Sequence, residues 1–227
     1  AHMNLGNIYK ELGNLDQALE ATLKSLELKP DNADAYINLS NIYQGIGNLD
    51  KALEATLKSL ELKSDSASAY ILLGLIYKDL GNLDQALKAT LTSLKCSPNN
   101  ADALINLAII YQELDKFDLA LEANIKSLDL QPDNAASLIN LGAIYKELGN
   151  YDQALMSTLK SLEIKPDNHS VYINLGIIYQ DLGEFDQALN STLKSLELKP
   201  DNANAHMNLG SIYKDLGNLD QALASTI

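Results

Sequence analysis

A tyrosine recurs every 34 residues along the whole chain, and this interval restricts the chain to a repeat architecture. The tyrosines of this series are Tyr9, Tyr43, Tyr77, Tyr111, Tyr145, Tyr179 and Tyr213. An alanine series keeps the same interval, with Ala18, Ala52, Ala86, Ala120, Ala154, Ala188 and Ala222. Because a short repeat cannot bury its apolar face alone, we expect a stack in which each repeat covers its neighbour.

Each repeat has the apolar spacing of two helices separated by a glycine. In the sixth repeat, Tyr172, Leu175 and Tyr179 fall on one stripe of a first helix, which we name helix A. Gly183 follows at the place of a left-handed C-cap. A second helix, helix B, then continues until Pro200 prevents its extension. The expected fold class is all-α, with about seven helix-turn-helix repeats of 34 residues.

We expect a single repeat domain over residues 1–227. Its repeats are approximately 1–32, 33–66, 67–100, 101–134, 135–168, 169–202 and a truncated 203–227. The first helix A begins partway and the last helix B ends early, which is typical of a piece of a longer solenoid or of a chain that covers its ends by association. In the second case Leu216, Leu219, Ala222 and Leu223 would take part in an end-to-end contact.

Three local features carry their own expectations. Asp115 replaces the turn glycine in the fourth repeat and is predicted to adopt the left-handed conformation. Asn14 and its equivalents precede helix B and are predicted to cap it. The single cysteine, Cys96, occupies a position where other repeats have leucine or isoleucine, which indicates a small core residue.

The charge composition excludes several classes of partner. The formal net charge is −13, and all 17 basic residues are lysines. Nucleic acid is disfavoured because its phosphates require basic residues, and without arginine a bidentate clamp for phosphate or carboxylate is disfavoured too.

No apolar run approaches the roughly 20 residues of a membrane span, and no signal-peptide pattern opens the chain. We therefore expect no membrane partner and a cytoplasmic location.

Neither a catalytic site nor a metal site is predicted. The chain has only three histidines, so most repeats have none. His2 and His206 occupy a position that is tyrosine in other repeats, and His169 is expected in a solvated turn. One carboxylate per repeat forms an acidic row of Glu11, Asp79, Glu113, Glu147, Asp181 and Asp215. Adjacent helices are about 8–10 Å apart, which is too wide for two of these carboxylates to share a metal. We expect a solvated acidic stripe that favours basic partners, no cofactor and no enzymatic activity.

The residues that keep the 34-residue interval resemble the tetratricopeptide repeat (TPR) family, whose pattern is aromatic-x2-Leu-Gly-x2-Tyr followed by Ala and Pro. The sixth repeat matches it with Tyr172, Leu175, Gly176, Tyr179, Ala188 and Pro200. It departs from the pattern at Thr192, where the family has a second aromatic residue. The resemblance covers essentially the whole chain and implies a right-handed α-superhelix whose A helices line a concave channel for a protein or peptide.

An asparagine row lies on the part of helix A that the resemblance places in the channel. Its members are Asn4, Asn38, Asn106, Asn140, Asn174 and Asn208, and Leu72 interrupts the row. The row is similar to the asparagine ladder in the TPR half of the O-linked N-acetylglucosamine transferases, which implies that the amides hold the backbone of an extended peptide. An amide offers both a donor and an acceptor to a peptide group. The same side chains could instead support packing between neighbouring A helices.

Apolar residues adjoin the asparagine row and predict an exposed patch in the channel. They are Leu72, Leu75, Ile105, Ile109, Ile139, Ala143, Ile173 and Ile177. The predicted function is a non-enzymatic interaction scaffold that binds an extended or helical peptide segment in this groove. Two alternatives remain open, namely the substrate-selecting arm of a larger enzyme such as a glycosyltransferase, and a module that self-assembles through its ends.

Overall fold

The structure is a computed structural model that describes residues 2–225. The chain divides into two compact units, an N-terminal unit of residues 1–114 and a C-terminal unit of residues 115–227. The boundary falls inside the fourth repeat, just before Asp115. A single repeat domain over the whole chain therefore stays a prediction.

The described residues form fourteen α-helices and no strand, which confirms the all-α fold class. The N-terminal unit contains α1 (His2–Glu11), α2 (Leu15–Leu28), α3 (Ala33–Gly45), α4 (Leu49–Leu62), α5 (Ala67–Asp79), α6 (Leu83–Cys96) and α7 (Ala101–Glu113). The C-terminal unit contains α8 (Phe117–Leu130), α9 (Ala135–Glu147), α10 (Tyr151–Ile164), α11 (His169–Asp181), α12 (Phe185–Leu198), α13 (Ala203–Asp215) and α14 (Leu219–Ser225). Odd-numbered helices are A helices of successive repeats, and even-numbered helices are B helices.

Each unit is a stack of helix pairs. Within a unit, each helix A contacts the helix B of its own repeat, and each helix B contacts the next helix A. Successive A helices also contact each other directly, from α1 to α7 in the N-terminal unit and from α9 to α13 in the C-terminal unit. This pattern of nearest-neighbour contacts is that of an α-solenoid.

Backbone geometry holds the turn between helix A and helix B. Gly81 has a φ of 75°, and its N–H donates to the carbonyl of Lys78 at 2.8 Å. The next N–H, that of Asn82, donates to the carbonyl of Tyr77 at 2.7 Å. These two bonds form a Schellman motif, which pairs carbonyls that would otherwise lack a partner at the helix end. Five further glycines have a positive φ at the same place, namely Gly13, Gly47, Gly149, Gly183 and Gly217.

The side-chain caps lie mainly at the other turn, before helix A. The residue before each helix A from α3 to α13 accepts a hydrogen bond from a backbone N–H in the first turn: Asn32, Ser66, Asn100, Asn134, Asn168 and Asn202. Before helix B, Asn48 makes such a bond, whereas Asn14, Asn82 and Asn150 do not. The predicted capping of helix B by asparagine is thus wrong at three of these four positions, and the Schellman motif, which is present at all four, holds the turn without it.

Helix A and helix B of one repeat approach closely where both carry a small residue. A methyl group added at Gly6 would lie 2.5 Å from Thr22 Oγ1 and 3.4 Å from the Ala18 carbonyl, so a side chain here would require the threonine to shift. The same crowding occurs at Gly74, Gly142 and Gly176. The threonine that replaces the aromatic residue of the TPR pattern is therefore a buried contact of this glycine.

Ser40 shows how a side chain can be accommodated at the glycine position. Its hydroxyl donates to the carbonyl of Ala52 at 2.8 Å and lies 2.6 Å from the Thr56 hydroxyl. Thr56 itself bonds to the Ala52 carbonyl at 2.9 Å. Because buried polar groups are costly without partners, this substitution depends on the hydrogen bonds that the serine makes.

Asn124 stands at the threonine position in the fourth repeat and forms a buried network of its own. Its Nδ2 donates to the carbonyl of Ser137 at 2.9 Å, and its Oδ1 accepts from Nδ2 of Asn140 at 3.2 Å. The hydroxyls of Ser127 and Ser137 are 3.0 Å apart. Asn140, a member of the predicted ligand-binding row, therefore joins α9 to α8.

Two expectations about single residues are wrong. Cys96 is exposed as the last residue of α6. The equivalent Leu62, Leu130 and Leu198 are exposed as well. His169 is not in a turn, since it is the first residue of α11 and is half-buried.

The first prediction concerns Asp115, whose φ of 55° confirms the left-handed conformation expected at this position. Asp115→Gly should stabilise the protein by up to about 1 kcal/mol, because glycine adopts this conformation without the penalty of a Cβ. The measurement is urea denaturation followed by circular dichroism. The reverse change in the fifth repeat, Gly149→Asp, is the matched control and should destabilise. A lower denaturation midpoint for Asp115→Gly would contradict the argument.

The second prediction separates two asparagines of the same row. Asn140→Ala should cost about 1–3 kcal/mol, because the buried Oδ1 of Asn124 loses this donor. The matched control is Asn174→Ala, since Asn174 makes no side-chain hydrogen bond in the described part of the chain. Alanine is the better helix former, so the control should be neutral or slightly stabilising. Equal destabilisation of the two variants in denaturation experiments would refute the distinction.

Candidate functional site

The predicted binding residues all lie on A helices, and we name the surface that they form the A-helix face. In the N-terminal unit it contains Asn4 on α1, Asn38 on α3, Leu72 and Leu75 on α5, and Ile105, Asn106 and Ile109 on α7. In the C-terminal unit it contains Ile139 and Asn140 on α9, Ile173, Asn174 and Ile177 on α11, and Asn208 on α13. Because successive A helices touch within each unit, the face is continuous there.

The A-helix face is more covered than the sequence indicated. Leu72, Ile173 and Asn208 are only 5%, 9% and 8% exposed. The other isoleucines and Leu75 are half-buried. An exposed apolar patch is therefore an incorrect description, because neighbouring helices cover part of each side chain. What remains is a shallow band of partly accessible aliphatic groups.

The asparagine row contains two kinds of member. Asn208 Nδ2 donates to the buried hydroxyl of Thr192 at 2.9 Å. A methyl at Gly176 would lie 2.7 Å from the same Nδ2, so the amide fills the space beside this glycine. Asn140 is bonded to Asn124 in a similar way. These two side chains thus support packing, which is one of the two roles considered for the row.

The remaining half-buried asparagines have unused amides. Asn38, Asn106 and Asn174 make no side-chain hydrogen bond in the described residues, although each is partly accessible. An amide with both groups unbonded can accept from a peptide N–H and donate to a peptide carbonyl. The row therefore offers ligand contacts at these three positions.

A second polar row, which the sequence analysis missed, adjoins the acidic row in the N-terminal unit. Gln44 Nε2 donates to Asp79 Oδ2 of the next repeat at 3.4 Å. Lys78 Nζ lies 3.0 Å from Asp79 and 3.9 Å from Glu113. Lysine and glutamine alternate immediately before the acidic row, as Lys10, Gln44, Lys78, Gln112, Lys146, Gln180 and Lys214, and this regular alternation was the available signal.

The acidic row is partnered in the C-terminal unit too. Gln180 Nε2 donates to Ser211 Oγ at 2.9 Å and to Asp215 Oδ2 at 2.5 Å. Lys146 Nζ pairs with Glu147 at 2.7 Å. The carboxylates of the acidic row are all exposed, which confirms the expected solvated stripe, and several of them have polar partners in addition. Exposed pairs of this kind contribute about 0–1 kcal/mol each, so a cationic ligand can displace them.

A cavity in the C-terminal unit brings two predicted site residues together. It has a volume of about 370 Å³ and includes Ile173 and Asn174 beside the loop that precedes α13. His169 forms part of its wall and accepts a hydrogen bond at Nδ1 from Asn202 Nδ2 at 3.0 Å. Asn202 Oδ1 is already occupied as the cap of α13, which orients the amide toward the histidine. The cavity thus combines an aliphatic wall, an unbonded amide and a positioned imidazole.

The described residues contain no constellation that points to metal chemistry or membrane insertion. No group of three or more His, Cys, Asp or Glu side chains in that part of the chain could hold a metal ion. None of the described helices has both the length and the apolar character that crossing a bilayer requires.

Several solved structures share the fold. A tetratricopeptide repeat protein from Parabacteroides merdae ATCC 43184 aligns with a TM-score of 0.79 and 20% identity, over 99% of this chain and 89% of that chain. The APC/C hetero-tetramer Cut9-Hcn1 gives a TM-score of 0.85 and 21% identity over 98% of this chain. This chain spans only 42% of the aligned Cut9-Hcn1 chain. YrrB, described as a TPR protein with an unusual peptide-binding site, gives a TM-score of 0.59 and 26% identity, over 82% of this chain and 96% of that chain.

Family comparison gives the same result at the level of sequence. No curated protein matches this chain. Models of the tetratricopeptide repeat match residues 33–66, 67–100, 99–167, 133–201 and 192–224, and a model of the TPR repeat matches residues 6–47. These segments overlap or adjoin across nearly the whole chain, and two of them, 33–66 and 67–100, have the boundaries that the 34-residue interval predicts. The chain therefore belongs to the tetratricopeptide repeat family.

Proposed function

We propose that the chain is a non-enzymatic scaffold that binds an extended peptide segment of a partner protein along its A-helix face. TPR proteins are generally scaffolds for protein–protein interaction. The observation that carries the proposal is the cavity beside Asn174, where an unbonded amide adjoins Ile173. The peptide-binding site in the description of YrrB supports the same kind of ligand. A cytoplasmic location accompanies the proposal as a prediction.

The chemistry of the face favours an extended backbone with apolar side chains. The free amides of Asn38, Asn106 and Asn174 can pair with peptide groups of any sequence. The half-buried isoleucines beside them contact side chains and favour aliphatic ones, because burial of apolar area stabilises the complex. Sequence preference would then come from the apolar contacts, and the amides would set the path of the ligand backbone.

The third prediction tests the amide contact. A decapeptide is selected from a random display library on the wild-type protein, and its affinity is measured by titration calorimetry. Asn174→Ala should weaken binding about 2- to 12-fold, the equivalent of one hydrogen bond of about 0.5–1.5 kcal/mol. The matched control is Asn190→Ala, an exposed asparagine on α12 of the same repeat, which should leave affinity unchanged. If Asn174→Ala binds as tightly as wild type, the row has no role in binding.

The fourth prediction tests the apolar and ionic parts of the same face. Ile177→Lys should abolish binding of an aliphatic peptide, because it places a charge where side chains are desolvated. For a peptide with a terminal lysine, affinity should fall with added salt, since exposed ion pairs are screened. Asp181 makes no ion pair in the described residues, so Asp181→Asn should reduce that salt dependence. A salt response unchanged in Asp181→Asn would exclude this carboxylate from the site.

A further inference from the structure

A second cleft lies in the N-terminal unit, between α3 and α4, and shares no residue with the A-helix face. Its volume is about 600 Å³. Buried Leu39 and Ala55 form its apolar floor, and the half-buried rings of Tyr36 and Tyr43 line it beside them. The same tyrosines pack against Leu39 in the core of this unit, so the rings are held in place. We name this feature the tyrosine cleft.

The polar groups of the tyrosine cleft are largely unused. Neither phenol hydroxyl, of Tyr36 or of Tyr43, makes a hydrogen bond in the described part of the chain. Lys51 Nζ lies 5.4 Å from the centroid of the Tyr43 ring. Glu54 has no ion-pair partner among the described residues. The cleft thus presents two hydroxyl donors, one ammonium and one free carboxylate around an apolar floor.

The other two charges at the rim neutralise each other. Lys58 Nζ and Glu61 Oε2 are 2.7 Å apart, and this hydrogen bond raises the pKa of Lys58. Lys51 is placed over a ring, where a cation is attracted by the aromatic face. Glu54 is consequently the rim carboxylate that a cationic group of a ligand can pair with.

The spacing of the two rings fits a polyproline II ligand. Tyr36 and Tyr43 are seven residues apart on one helix, which corresponds to about 10.5 Å along its axis. A polyproline II segment repeats every three residues, or about 9.3 Å, so prolines three residues apart would meet successive rings. Its carbonyls have no internal hydrogen bonds and require donors, which the phenol hydroxyls supply. An α-helical ligand has its central carbonyls already bonded and would leave those hydroxyls unpaired.

We propose that the tyrosine cleft binds a polyproline II segment of the form Pro-x-x-Pro with an arginine or lysine three residues before the first proline. One proline lies on the ring of Tyr36, the other takes the place of Lys51 on the ring of Tyr43, and the basic side chain pairs with Glu54. Aromatic-lined grooves are a general way of recognising such segments, because the ligand is already extended and loses little entropy on binding. The net charge of −13 favours approach of a basic segment.

The third repeat provides an internal control. It has the same tyrosine pair, Tyr70 and Tyr77, but Lys88 occupies the position equivalent to Glu54. The third repeat therefore has the same two rings but lacks the carboxylate at the position of Glu54. A ligand with a basic residue should discriminate between the two positions.

The experiment uses the full chain and a fluorescein-labelled peptide, Arg-Ala-Leu-Pro-Pro-Leu-Pro, in an anisotropy titration. Glu54→Lys should weaken binding about tenfold or more, the equivalent of about 1.4 kcal/mol. Lys88→Glu, in the third repeat, should not weaken it. Replacing the peptide arginine by glutamate should reverse the order, so that Glu54→Lys binds this peptide more tightly than wild type. Circular dichroism checks that each variant stays folded, and both changes are on exposed side chains.

The tyrosine contact has its own readout. Tyr36→Phe keeps the ring and removes the hydroxyl, and it should lower the affinity for the peptide a few-fold. A peptide in which both spaced prolines are changed to alanine should not bind to the wild-type protein. The proposal is overturned if wild type does not bind at millimolar peptide, or if Glu54→Lys and Lys88→Glu have the same effect. Displacement of the probe by a decapeptide whose own binding depends on Asn174 would also overturn it, because the two sites share no residue. Failure here leaves the A-helix face proposal intact.

Discussion

The close approach of helix A to helix B at the glycine and threonine positions is the contact on which the rest of the structure depends. Gly6 and its equivalents leave room for only a hydrogen beside the threonine hydroxyl. This contact sets the separation of the two helices, and it recurs every 34 residues. Because the pairs are nearly identical, each presents the same faces to the next, and stacking follows. Where glycine is replaced by Ser40, hydrogen bonds preserve the contact.

Buried serines reinforce this packing with directional bonds. Ser59, Ser93 and Ser195 on B helices each donate to the carbonyl of the first residue of their own helix A, at 2.8–3.0 Å. Such bonds fix the register of two helices along their axes, which apolar contact alone does not. A buried hydroxyl without its acceptor is costly, so alternative registers are disfavoured. Small residues thus allow the two helices to approach closely, and the serine hydrogen bonds fix their relative register.

Equivalent positions in different repeats have different roles on both proposed binding surfaces. In the asparagine row of the A-helix face, the side chains of Asn140 and Asn208 support packing, whereas the amide of Asn174 is unbonded. The difference arises in the neighbours. Asn124 offers an acceptor to Asn140, and Thr192 offers one to Asn208. At the tyrosine cleft, the two repeats share the tyrosine pair and differ at the charged rim, where Glu54 corresponds to Lys88. Function in a repetitive chain therefore resides in departures from the repeat.

The sequence by itself determined the all-α repeat architecture, the positions of the turns and the family. A strict interval, turn glycines and prolines leave few alternatives, and Asp115 could be recognised because it stands in a glycine series. The tertiary structure alone decided which polar side chains are free. Exposure of Cys96, burial of Leu72 and the pairing of the acidic row with lysine and glutamine depend on contacts between repeats. A residue's position within its own helix does not reveal the contacts between repeats, because the partner atoms lie on another helix, as for Gln44 and Asp79.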